Sequence, residues 1–168
     1  MKRHHLLVQL LAATLLLAGS ACDDDNDPEP AEESIEEEAC EHRADGPFQA
    51  VTAGATADAT APSATFAHTS VQITLADPDS DGTFEGFVTY AAAEAGDHVI
   101  FASDTVTLTV TALDGTPITV EAVEPVSLCS EVQAGHRVEL TVGGYFLHFD
   151  ASVAEVGVVI ERDEAHAE

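Results

Sequence analysis

From about Phe48 onward, apolar and polar residues alternate with a period of two. The clearest run is Thr105–Ala112, where Val106, Leu108 and Val110 fall on one face and four threonines on the other. Val71, Ile73 and Leu75 alternate with Gln72 and Thr74, and Val138, Leu140 and Val142 alternate with Arg137, Glu139 and Thr141. Val156, Val158 and Ile160 form a last run. Successive side chains of a strand point to opposite faces, so these segments predict strands of an antiparallel sheet with one wet face. Segments 86–92 and 98–102 are apolar on both faces and predict central strands. No helical period is evident after residue 45.

Turn residues extend the picture. Gly143-Gly144 predicts a two-residue hairpin turn of the kind that needs positive φ. In that register Val142 faces Tyr145, Leu140 faces Leu147 and Val138 faces Phe149, so inward residues meet inward residues and Glu139 lies opposite His148. Asp114-Gly115 behaves differently, because a two-residue loop there opposes inward Val110 to Thr119. A bulge or longer loop is predicted, with Gly115 at positive φ. Eight or nine short strands with regular turn signals predict an all-β fold, a single antiparallel β-sandwich of jelly-roll or Ig-like type over residues 46–161. Residues 162–168 are expected to be a disordered tail.

The first 45 residues follow other rules. Lys2, Arg3, His4 and His5 form a basic head, an apolar run spans 6–18, and Gly19-Ser20-Ala21 leads into Cys22. This is the layout of a secretory signal peptide, residues 1–21, with a small-residue cleavage site. Its apolar run is shorter than the ~20 residues a spanning helix needs. The arrangement resembles a bacterial lipoprotein, with Gly19 standing where leucine is usual at position −3. The resemblance implies lipidation of Cys22, membrane attachment through that lipid, and a place in the bacterial cell envelope facing the periplasm or cell surface. Ordinary cleavage after Ala21 is the alternative. Residues 23–41 hold eleven Asp or Glu and two prolines, so segment 22–45 is expected to be a disordered acidic linker without a stable helix.

Charge narrows the function classes. The full chain carries 31 acidic residues against five Lys and Arg, a formal charge of −26. Lys2 is the only lysine, so three arginines remain beyond the signal: Arg43, Arg137 and Arg162. Such a surface repels nucleic acid, which needs basic patches. The sequence has no Gly-x-Ser-x-Gly elbow, phosphate-binding loop or His-Glu-x-x-His pair, and no lysine is left after cleavage, which argues against an enzyme.

Two cysteines follow Cys22. In an oxidising compartment Cys40 and Cys129 read first as one disulfide. The rival reading joins them to His42 and His136 in a metal site. A second candidate is Asp77-Pro-Asp79-Ser-Asp81-Gly82, whose spacing matches the first half of an EF-hand calcium loop. Glu85 occupies position 9, but Val88 stands where the bidentate glutamate belongs, and the turn formers also suit an acidic hairpin turn between strands at 71–75 and 84–92. Calcium is therefore the cofactor to consider, with no cofactor at all as the default.

Glu94-Ala-Gly-Asp-His-Val-Ile-Phe101, an alternating strand, an Asp-Gly turn and Val142-Gly-Gly-Tyr-Phe-Leu-His-Phe149 together resemble the bacterial pre-peptidase C-terminal domain over residues 70–160. The resemblance implies a small sandwich that accompanies secreted enzymes as an accessory module. Three functions follow as expectations: a lipid-anchored envelope protein with a non-enzymatic structural or binding role, a periplasmic binder of calcium, zinc or copper, and a module recognising an unidentified protein or glycan.

Overall fold

The computed structural model describes residues 33–64, 68–122 and 125–163. One helix, α1 (Ile35–Asp45), precedes β1 (Phe48–Thr52), β2 (Ser70–Thr74), β3 (Phe84–Ala92), β4 (Gly96–Ala102) and β5 (Val106–Ala112). Then come β6 (Pro117–Ile118), β7 (Val120–Ala122), β8 (Ala134–Leu140), β9 (Gly143–Ala151) and β10 (Glu155–Arg162). The strands form two sheets, a six-stranded one in the order β1-β2-β10-β4-β8-β7 and a four-stranded one in the order β3-β9-β5-β6. All pairings are antiparallel except β1 with β2. The fold is the all-β sandwich expected from the two-residue period.

The inner faces meet in one core. Val71, Ile73, Ile100, Val138, Leu140, Val156, Val158 and Ile160 come from the larger sheet, and Val88, Leu108, Val110, Leu147 and Phe149 from the smaller. Burying each such side chain contributes roughly 1.5–3 kcal/mol. A second layer lies outside the larger sheet. There Val99 and Phe101 of β4 and Val159 of β10 pack under Ala39 of α1 and Val132. Strand β4 is thus buried on both faces, which is why Val99 to Ala102 read as a continuous apolar run.

Five expectations are corrected. Gly143 and Gly144 do not make a hairpin turn: β8 and β9 lie in opposite sheets, and both glycines pair with β3. The Tyr145 hydroxyl closes this arch, accepting from Thr141 N at 3.0 Å and donating to Thr141 O at 2.7 Å. Inward residues face each other equally well across a hairpin or across the two layers, so alternation could not separate the two. Glu139 accordingly pairs with Asp97, whereas His148 stacks on Phe87 at 4.3 Å and lies 3.6 Å from Glu85. Segment 86–92 is an edge strand and not a central one. Its free edge is met by residues 53–64, through bridges of Phe87 with Gly54 and Thr89 with Ser63. The acidic turn 77–82 joins β2 to β3 across the two layers, with Ala76 bridging Glu85 where the strands begin. By contrast, the Asp114-Gly115 loop is the longer one expected: Gly115 has φ +92° and Val110 faces Ile118.

The fourth correction concerns the linker. Its second half is α1, docked on β10, so the folded body begins near Ser34 and not at 46. Ser34 caps the helix reciprocally: its Oγ accepts from Glu37 N at 3.3 Å, and its own N–H donates to Glu37 Oε2 at 2.9 Å. Glu36, Glu37 and Glu38 sit at the positive end of the helix dipole, and His42 and Arg43 at the negative end. At the other terminus, β10 runs through Arg162, and Asp163 is buried against Arg137 at 2.6 Å, so both belong to the folded body and not to a tail; the rest of that expectation lies outside the described residues.

Candidate metal centre

Strand parity on β10 sends Val156, Val158 and Ile160 into the sandwich and turns Val159 and Glu161 outward beneath α1. Glu38 and His42 are four residues apart on that helix, one turn, and so share a face. His68, whose φ of +45° is rare for a residue with a side chain, closes the group from just ahead of β2. Three separate segments therefore deliver two imidazoles and two carboxylates to one place.

Donor spacing suits a metal ion. Glu38 Oε1 lies 3.7 Å from His42 Nε2 and 3.0 Å from His68 Nδ1. Glu161 lies 3.7 Å from His42 Nε2 through Oε1 and 3.9 Å from His68 Nδ1 through Oε2. All four ligand atoms fall within 4.8 Å of one another. Zinc held tetrahedrally at its usual 2.0–2.1 Å has ligand atoms about 3.3 Å apart, so modest rotamer adjustment closes the shell.

Two side chains are preset for this. His42 Nδ1 is 3.3 Å from the carbonyl of Gly46. A carbonyl only accepts, so Nδ1 carries the proton, and the lone pair of neutral imidazole sits on Nε2, aimed at both carboxylates. Glu161 is the more telling residue. Its side chain is only 4% exposed, and Oε1 has no hydrogen-bond partner among the described residues, nor does His42 Nε2. A buried carboxylate oxygen without a hydrogen bond is costly. Burial, reinforced by the nearby charge of Glu38, raises the Glu161 carboxyl to about 8. A cation at the centre of the four atoms removes that cost. His68, 70% exposed, forms the solvent side.

The helix is held down on one side by the Cys40–Cys129 disulfide, which joins residues 89 apart in sequence. On the other side Arg43 donates to Ser70 Oγ at 2.6 Å and reaches the Glu131 carbonyl at 3.5 Å. Gly157 permits this, since a Cβ there would occupy the space of the guanidinium.

The residues singled out from sequence fare unevenly. Cys40 and Cys129 form the expected bond, which withdraws both sulfurs from any metal site. His42 belongs to the cluster, but His136 does not. It lies on the inner side of β8 with Val138 and Leu140, where burial lowers its pKa, while His42 lies outside that sheet. The acidic turn is not assembled as a calcium site. Asp77 accepts from Asp81 N and Gly82 N, both at 3.1 Å, Asp81 accepts from Thr83 N at 2.8 Å, and Glu85 turns to His148. Asp79 is exposed, and among the described residues only the Glu38–His42–His68–Glu161 set converges. Cys22 lies outside the described residues.

Glu38, His68 and Glu161 were missed because no spacing along the chain joins them. The readable signals were Ser34-x-x-Glu37, a capping box that starts a helix, and Glu38-x-x-x-His42 within it. The chain matches no protein-family model and no curated protein sequence.

Proposed function

We propose that this chain is an exported, lipid-anchored protein of the bacterial cell envelope whose sandwich holds one divalent transition-metal ion, zinc, without catalysing a reaction. The observation that carries the reading is Glu161, a buried carboxylate with an unpartnered oxygen facing His42. Imidazole nitrogen disfavours calcium and magnesium, the cluster offers no thiolate for soft copper(I), and a tetrahedral four-donor N/O set suits zinc. Two carboxylates and two neutral imidazoles also balance the ion's charge. Four protein ligands fill a tetrahedral shell, the condition of a structural zinc and not of a catalytic one.

Calorimetry of zinc into the chelator-treated protein is the test. One ion per chain is expected, with His42→Ala binding at least tenfold more weakly. Equal titrations for the two proteins would overturn the site. The anchor is a separate expectation: a mature chain purified from membranes should begin at Cys22 with a mass increased by acyl chains. An unmodified Cys22 would remove the lipid from the reading.

A further inference from the structure

Two of the four donors ride on a helix tied to the sandwich by the disulfide, by Ala39 and by the hydrogen bonds of Arg43 to Ser70 and Glu131. Among the residues of α1 only Ala39 is fully buried, Ile35, Cys40, His42 and Arg43 are partly covered, and the outward residues are mostly acidic. The docked helix also brings Glu38 toward Glu161, two carboxylates that repel each other when both are ionised. The one covalent tie among those attachments is the bond from Cys40 to Cys129, in the middle of the helix between Glu38 and His42. Of the other two donors, Glu161 lies on β10 and His68 just ahead of β2, both outside the helix.

We infer that the Cys40–Cys129 disulfide controls the affinity of the metal centre, and that the ion in turn protects the disulfide from reduction. The inference rests on the metal-binding reading above and adds its regulation. With the bond intact, Glu38 and His42 stay within reach of His68 and Glu161, and the shell needs only side-chain adjustment. Opening it takes two electrons from a thiol or phosphine donor and two protons, from the donor thiols or from water respectively, and leaves two cysteine thiols. The helix then exchanges between docked and undocked positions, and apparent affinity falls by the docked fraction. A helix docked one part in ten binds zinc ten times more weakly. Thermodynamic linkage makes the effect reciprocal, so a bound ion that holds the helix down disfavours the open thiol form by the same factor. Cys40 and Cys129 are each only partly buried, so a small reductant can reach them.

Two measurements on the full-length protein decide the matter. In the first, zinc is titrated into oxidised wild type and into Cys40→Ser/Cys129→Ser, which has neither the bond nor thiols that could capture zinc themselves. At least a tenfold loss of affinity is expected in the variant. Equal affinities overturn the coupling while leaving the metal site standing, and no binding to oxidised wild type overturns both. The second needs no cysteine variant to fold. Oxidised wild type is treated with a water-soluble phosphine, which takes oxygen from water as the two thiols form, and the thiols are counted by alkylation and mass spectrometry. Saturating zinc should slow reduction severalfold in wild type and not in Glu161→Gln. Unchanged or faster reduction of the wild type with zinc would overturn the inference.

Discussion

Glu161→Gln should raise the stability of the metal-free protein at pH 9 by about 3–5 kcal/mol, and by less than about 1 kcal/mol at pH 5. The sign follows from the two proton affinities. Glu161 sits at about 8 in the fold, against 4.5 when freely solvated. Below 4.5 the carboxyl is protonated in both states and burial costs little. As pH rises, the unfolded chain releases its proton first, and native stability drains away until the folded carboxyl also ionises near 8. Glutamine has the shape of the protonated acid and never takes the charge, so the loss is absent in the variant. Zinc reverses the ranking. The wild-type carboxylate becomes a ligand, while the amide is a poor one, and zinc affinity of the variant should fall a hundredfold or more. Denaturant titrations at the two pH values, with chelator and with zinc, measure both effects. A variant less stable than wild type at pH 9 in chelator would show that the charge is no burden and that the site is wrongly read.

Phe101→Ala should cost about 3–5 kcal/mol, a large part of the 5–15 kcal/mol that holds a typical domain together. Phe101 is wholly buried, yet it does not face the inner core. It pairs with Val159 and Gly135 and lies in the layer beneath α1 with Ala39 and Val132. The lack of a side chain at Gly135 leaves room for the ring, whose edge is 3.3 Å from where a Cβ would stand. Alanine leaves a void there that the disulfide-pinned helix cannot fully collapse into. Phe149→Ala makes a comparable void between the sheets and should destabilise about as much. Only the Phe101 change should also weaken zinc binding, because it loosens the floor under Glu38 and His42. Denaturant midpoints and zinc titrations of the two variants separate these outcomes, and equal zinc affinities would show that the outer layer does not support the centre.

The inner half of this fold was readable because its cause is local. Val106, Leu108 and Val110 must share a face in any strand, and the threonines between them must share the other. What alternation cannot fix is the partner across the core. Leu140 and Leu147 are equally content as neighbours in a hairpin or as opposing residues of two layers, and only pairing with β3, far back in the chain, decides it. The helix was hidden for another reason. Its neighbours are glutamates, and it buries one alanine and half a disulfide, so no amphipathic stripe marks it. Its signals were the capping residues and the ordering of charge from acidic start to basic end. The cluster was least legible, since Glu38, His68 and Glu161 become neighbours only after β10 has placed itself beside β2 and under α1.

One consequence of the Cys40–Cys129 bond is mechanical. Tension drawn along the chain between its two ends travels down α1 to Cys40, crosses the sulfur bridge, and leaves through the segment before β8. Strands β1 to β7, strung between the two cysteines, are bypassed like a loop of slack behind a knot. The edge strand β1 is spared from unzipping, and a steady pull loads β8, β9 and β10 instead.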